Sequence, residues 1–192
     1  MLFKIVGIFL FSIFTVFGQV KTLSSIKDVK VNVVEETYIE NKTREKKYDI
    51  KLILPNLMLK KITFPEINKG EAYLYKGGKR YVYLPIFDEI TEEPSDKDTN
   101  YFLETLNTLI EKEKKDKKFK DQYYKKQVKI LKFKDNIKVE IEKYDIIDGY
   151  LLPSVLKIFD GDIKVATLKL SNTKINSGLK PQEFVVKYED NK

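Results

Sequence analysis

The feature that most restricts the fold of this chain is a recurring pattern of short alternating runs and compact turns, interrupted once by a helical stretch. Strict alternation of apolar and polar residues marks a strand with one buried face, because successive side chains of a strand point to opposite sides. Val29, Val31 and Val33 alternate with polar neighbours, and Asn41-Lys42-Thr43 has the chemistry of a turn, so residues 29–48 read as strand, turn, strand. Residues 48–54 form a second extended run that stops at Pro55-Asn56, and residues 57–64 form a third that stops at Pro65-Glu66. The plainest hairpin joins Glu71-Ala72-Tyr73-Leu74-Tyr75 to Arg80-Tyr81-Val82-Tyr83-Leu84 through Lys76-Gly77-Gly78-Lys79. Glycine pairs accept the positive φ that such turns require.

The middle of the chain differs. Residues 87–100 are acidic and read as irregular, ending in Asp98-Thr99-Asn100, which are good N-cap residues. Phe102, Leu103, Leu106, Leu109 and Ile110 then recur at helical spacing. The lysine-rich residues 112–126 follow, with Phe119 and Tyr123 four apart, and read either as a solvated helix end or as a mobile cover over an apolar groove.

The strand pattern resumes with residues 128–133, a turn at Lys134-Asp135-Asn136, and Ile137, Val139 and Ile141 alternating with Lys138, Glu140 and Glu142. Asp148-Gly149 and Asp160-Gly161 turn into residues 150–159 and 162–170, and residues 184–188 read as a last strand. About ten or eleven strands joined by short turns pair in sequence as a meander. The expected fold class is therefore α+β, a single curved antiparallel β-sheet with the central helix and a short helix near residues 22–27 on its concave face. The interior of such a sheet is either a solid core or an apolar cavity. Ile50, Leu52, Ile53 and Leu54 put apolar side chains on both faces, more than a one-sided sheet needs, and burial by helices on both sides explains that equally well.

The first residues carry one lysine, Lys4, then an apolar run over 5–17 and the small Gly18 before Gln19, the order of a secretory signal peptide. The run falls short of the roughly 20 apolar residues that span a bilayer. The expected organisation is a signal peptide at residues 1–18 and one domain at 19–192, with no internal repeat or linker, exported to the periplasm without a transmembrane helix in the mature form. With no cysteine in the chain, no acyl anchor, disulfide, thiol nucleophile or thiolate metal site is available.

The net charge is +7, and Lys4 leaves with the leader. Nearly all of the cations are lysine; Arg44 and Arg80 are the arginines. Lysine richness reflects either coding bias or attraction to an acidic membrane surface or partner. Nucleic acid is not an expected partner, because base recognition relies on arginine forks. Zero histidines remove Ser-His-Asp and Cys-His catalysis and histidine-based zinc sites. Asp96-Lys97-Asp98-Thr99-Asn100 begins like a calcium loop, but Tyr101 stands where that loop needs glycine and Asn107 where it needs a bidentate glutamate. No catalytic residue, metal ligand or cofactor is expected, and the chain is read as a non-enzyme.

The order of several motifs resembles the LolA/LolB family of periplasmic lipoprotein carriers and receptors. The residues that carry the resemblance are Ile53-Leu54-Pro55-Asn56-Leu57, Phe64-Pro65-Glu66, Lys76-Gly77-Gly78-Lys79 leading into Tyr81-Val82-Tyr83-Leu84-Pro85, and Gly149-Tyr150-Leu151-Leu152-Pro153. Leu170-Ser171-Asn172-Thr173-Lys174-Ile175-Asn176 and Pro181-Gln182-Glu183-Phe184 complete it. The resemblance implies a half-open antiparallel barrel closed by helices, with an apolar cavity that receives acyl chains of lipoproteins or another lipid. It implies an inner-membrane lipoprotein-releasing transporter and an outer-membrane acceptor as partners. Lacking cysteine, the chain is closer to the soluble carrier than to the anchored acceptor, and a monomer is expected. Carriers of this family have an arginine before the Pro-Asn that latches the helical lid to backbone carbonyls, whereas this chain has Leu54. The candidate cavity residues are Leu52, Leu54, Leu57, Leu59, Leu74, Val82, Phe102, Leu106, Leu109, Val139 and Ile141. A second reading is an exported protein-interaction or envelope-sensing module that transports no lipid.

Overall fold

The computed structural model describes residues 20–40, 42–94 and 100–187. The leader at 1–18, the calcium-like run from Asp96 to Thr99, and Tyr188 lie outside the described residues. Ten antiparallel strands form one curved, open sheet: β1 (Asp28–Ile39), β2 (Lys42–Ile53), β3 (Leu57–Phe64), β4 (Ala72–Lys76), β5 (Lys79–Leu84), β6 (Glu89–Pro94), β7 (Ile130–Lys132), β8 (Ile137–Ile147), β9 (Tyr150–Asp160) and β10 (Ile163–Ile175). Their spatial order is β6-β5-β4-β3-β2-β1-β10-β9-β8-β7, two meanders joined where β1 pairs with β10. Helices α1 (Tyr101–Lys115) and α2 (Lys117–Tyr124) lie in the chain between β6 and β7, the two edge strands. The connection between the edges therefore runs across the sheet and covers its concave face.

Local chemistry explains most of the elements. Gly77 and Gly78 adopt φ of 60° and 76° in the β4–β5 turn, as the hairpin requires. Asn100 caps α1 by accepting the Leu103 N–H at 3.0 Å, and Asp116 ends α1 and caps α2 by accepting the Phe119 N–H at 2.9 Å. The sequence pattern misleads in four places. Residues 42–53 are one strand rather than two runs. The acidic stretch after Phe87 contains edge strand β6, because Glu92 and Glu93 find Lys79 at 2.6 Å and Arg80 on β5. Residues near 22–27 make only a 3-10 turn, Leu23–Ser25. Residues 184–187 join no strand of the sheet.

That C-terminal segment instead crosses the convex face. Leu179 and Phe184 bury against Leu59, Ala72 and Leu74, with Ile53, Leu57, Tyr81 and Val186 around them. So Ile50 and Leu52 face the concave core while Ile53 faces outward beneath a C-terminal strap, and the two-sided apolar pattern needs helices on one side only. The strap is pinned at its start by the buried Asp28, whose carboxylate accepts the Ser177 N–H (2.8 Å), the Ser177 hydroxyl (2.9 Å) and the Gly178 N–H (3.1 Å). Asn176 clamps the same corner: its oxygen accepts the Lys27 N–H at 2.7 Å, and its amide donates to the Ser25 carbonyl at 3.1 Å and the Tyr150 hydroxyl at 3.0 Å. Three charge-assisted bonds at Asp28 make this a costly corner to open.

Candidate functional site

The site is the concave face and its helical cover. On α1 the residues Phe102, Leu106, Leu109 and Ile110 form one buried stripe, and α2 adds Phe119 and Tyr123. They pack on Val29, Val31 and Leu52 of β1 and β2 and on Val139, Ile141, Leu156 and Ile158 of β8 and β9. Each such side chain contributes roughly 1.5–3 kcal/mol by leaving water.

Polar anchors are few and specific. Glu113 lies within the apolar stripe of α1, one turn beyond Leu109, and is 5% exposed. Its carboxylate accepts the N–H groups of Leu23 (3.1 Å) and Ser24 (3.0 Å) and the hydroxyl of Tyr124. It thereby ties the end of α1 to the 3-10 turn ahead of β1. Tyr123 donates to the Leu151 carbonyl at 2.7 Å, and Tyr144 donates to the Val128 carbonyl at 2.6 Å. Burial pushes the phenols of Tyr123, Tyr124 and Tyr144 well above their ordinary range, reinforced at Tyr124 by its bond to Glu113. At the β2–β3 turn, Asn107 of α1 donates its amide to the Pro55 carbonyl at 3.1 Å. Leu54, immediately before Pro55 in the same turn, is half-buried against the core.

Between α1 and strands β1, β9 and β10 remains a narrow apolar cavity of about 20 Å³, lined by Val29, Phe102, Thr105, Leu106, Leu109, Leu152, Pro153, Leu156, Leu170 and Thr173. It has room for about one water-sized sphere. Pockets that hold small ligands run to roughly 300–1,000 Å³, so the space beneath α1 is almost filled, while a wider groove of about 520 Å³ opens beside it between α1 and the β7–β8 turn, lined by Tyr101, Glu104, Asn107, Thr108, Phe133 and Ile137 among others.

Of the candidate cavity residues, Phe102, Leu106 and Leu109 line this cavity. Leu52, Val139 and Ile141 lie in the surrounding concave core, and Leu54 packs at its margin. Val82 is buried opposite Tyr73 in the β4–β5 register and so shares the concave face with it. Leu57, Leu59 and Leu74 lie on the opposite, convex side in the core under the C-terminal strap. Glu113 is not among the residues expected from the sequence, although a carboxylate inside an apolar stripe is a signal of a buried anchor. Leu152, Leu156 and Leu170 also line the cavity without being expected to, because their strands are apolar on more than one face and give no sign of which side is covered.

No protein-family model and no curated protein matches the sequence. Solved structures do. A DUF1329 family protein from Desulfovibrio piger superposes with a TM-score of 0.58 at 13% identity, covering 85% of this chain and 91% of that one. A LolA superfamily protein from Nitrosomonas europaea gives 0.58 at 13% identity, over 84% of this chain and 91% of the other. A lipoprotein-sorting protein domain of the outer-membrane type from Vibrio parahaemolyticus gives 0.56 at 11% identity, over 82% and 89%. Among the described residues no helix is long and apolar enough to cross a membrane. The chain thus has the fold of the LolA-like proteins, a curved antiparallel sheet with helices across its concave side.

Proposed function

We propose that this chain is an exported carrier that takes acyl chains of lipoproteins, or another lipid, onto its concave face and shuttles them through the periplasm toward the outer membrane. The observation that carries the reading is the cover itself: a largely apolar concave face closed by α1 and α2, held by a small set of side-chain anchors at Glu113, Tyr123 and Asn107. The energetics are compatible with exchange. Uncovering the buried side chains of α1 and α2 costs about 9–18 kcal/mol, and an acyl chain of about sixteen carbons returns about 13 kcal/mol on burial. A carrier needs that near balance to load and also release. In this reading the cover moves aside as cargo enters, residues 1–18 direct export and are removed, and residues 19–192 are the working domain, a monomer without catalytic activity. A lipoprotein-releasing transporter in the inner membrane and an acceptor in the outer membrane would be its partners.

The nearly filled cavity favours one alternative, an exported protein-interaction or envelope-sensing module with no lipid cargo. One experiment separates them. The carrier reading expects lipid in an organic extract of the protein purified from the envelope, and saturable binding of a fluorescent fatty acid. A lipid-free extract together with no fatty-acid binding refutes it, and a protein partner recovered after delipidation establishes the alternative.

A further inference from the structure

The outer face of the cover carries an uncompensated field of lysines. Lys114, Lys117, Lys118, Lys125, Lys126 and Lys129 on α1, α2 and the link to β7 are exposed, and none of them makes an ion pair among the described residues. The acids nearby are largely committed: Glu113 is buried on the Leu23 and Ser24 amides, Glu111 pairs with Lys115 at 2.6 Å, and Asp116 caps α2. Asp121 on α2 and Glu104 near the start of α1 face solvent and make no ion pair among the described residues. On the sheet the pattern is different, for Lys169 meets Glu36 at 2.6 Å, Lys138 meets Asp162 at 2.8 Å and Lys157 meets Glu142 at 2.9 Å. Lys42, Lys76 and Lys174 on β2, β4 and β10 are also exposed without an ion pair among the described residues, but they are scattered over the sheet, whereas the six on the cover lie together within residues 114–129.

We infer that this face docks on an anionic lipid bilayer. The partner's chemistry follows from the kind of charge. No arginine lies on this face, so the planar fork that reads individual carboxylates is missing, while flexible lysine ammoniums suit the diffuse field of a charged surface. The inference goes beyond the carrier reading, since docking through the outside of the cover requires no cargo beneath it. It adds a direction of approach: the bilayer meets the element that closes the concave face.

The test uses residues 19–192, which contain all of the described fold, in sedimentation with vesicles of phosphatidylglycerol and phosphatidylcholine or of phosphatidylcholine alone. The expected result is binding to the anionic vesicles only, weakened by salt. Each lysine near such a surface is worth roughly a fivefold change in affinity. The combined Lys114→Gln, Lys117→Gln, Lys118→Gln and Lys125→Gln variant should therefore bind on the order of a hundredfold more weakly, allowing for screening. A control with the same net charge, Lys42→Gln, Lys46→Gln, Lys76→Gln and Lys174→Gln, should keep most of the affinity. Equal loss in both variants, equal binding to uncharged vesicles, no vesicle binding, or binding to polyglutamate but not to vesicles overturns the inference. A second measurement is independent of variant folding: anionic vesicles should protect the cover lysines of the unaltered protein from acetylation, and protection confined to the sheet lysines is equally fatal.

Discussion

Removing the Glu113 carboxylate gives the sharpest test of how the cover is held. Glu113→Ala leaves the Leu23 and Ser24 amides without their acceptor and frees the Tyr124 hydroxyl. Hydrogen bonds to a charged group contribute about 1.5–3 kcal/mol each. Water can reach the edge of this corner and replace part of that, so the expected loss is about 3–4 kcal/mol. Glu113→Gln keeps one carbonyl oxygen and should lose about half as much. Because the bonds join α1 to the turn before β1 rather than strand to strand, the loss should be local. Hydrogen exchange read by mass spectrometry should show amides of α1 and α2 exchanging about 150- to 700-fold faster, while β1, β2 and β9 change far less. Uptake of a fluorescent fatty acid should quicken in the same variant. Uniform acceleration of exchange across sheet and helices would refute the latch, and so would unchanged exchange in the helices.

Leu109→Ala removes a fully buried side chain that lines the cavity, and should cost about 2–5 kcal/mol in urea unfolding while enlarging the space for a bound chain. A loss under about 1 kcal/mol would mean the cover packs loosely. Phe184→Ala strips the main anchor of the strap and should cost about 3 kcal/mol. It should expose Leu59 and Leu74 to a hydrophobic dye and open the chain near Lys180 to trypsin, and unchanged dye binding would argue against the strap. The pH profile follows from the titrating groups. Hydrogen bonds from Lys169, Lys187, Lys79 and Lys138 hold the carboxyls of Glu36, Asp88, Glu92 and Asp162 below their usual range. Their contribution is present above the unfolded carboxylate range and is lost as pH falls through the depressed folded values, so stability should decline below about pH 4. The buried phenols act in the opposite direction: raised in the fold, they favour folding below about pH 10 and lose that effect as pH rises further. With no histidine, urea midpoints should be flat between these limits, and a step near neutrality would contradict the assignment.

Much of the fold could be read in the sequence because its causes are local. The Gly77-Gly78 turn, the alternation through Ile137, Val139 and Ile141, and the Asn100 cap each depend on residues a few positions apart. Strand β6 was hidden because its glutamates look like loop residues until Lys79 and Arg80 are placed beside them. The place of Glu113 one turn beyond Leu109 hints at burial, but its partners were hidden, because the Leu23 and Ser24 amides arrive from far along the chain.

The sequence by itself determined a mostly antiparallel sheet interrupted by one helical crossing, since period-two and helical spacing are properties of neighbouring residues. Only the tertiary structure decided which apolar residues share a face with the cover. Leu57, Leu59 and Leu74 have the same character as Leu52 and Val139, yet they lie beneath the C-terminal strap. Alternation separates a strand's two sides without naming them. The side is assigned by what covers it, here a strap pinned through Asp28 to Ser177 and Gly178 and a helical cover tied through Glu113 to Leu23, contacts between residues distant in the chain.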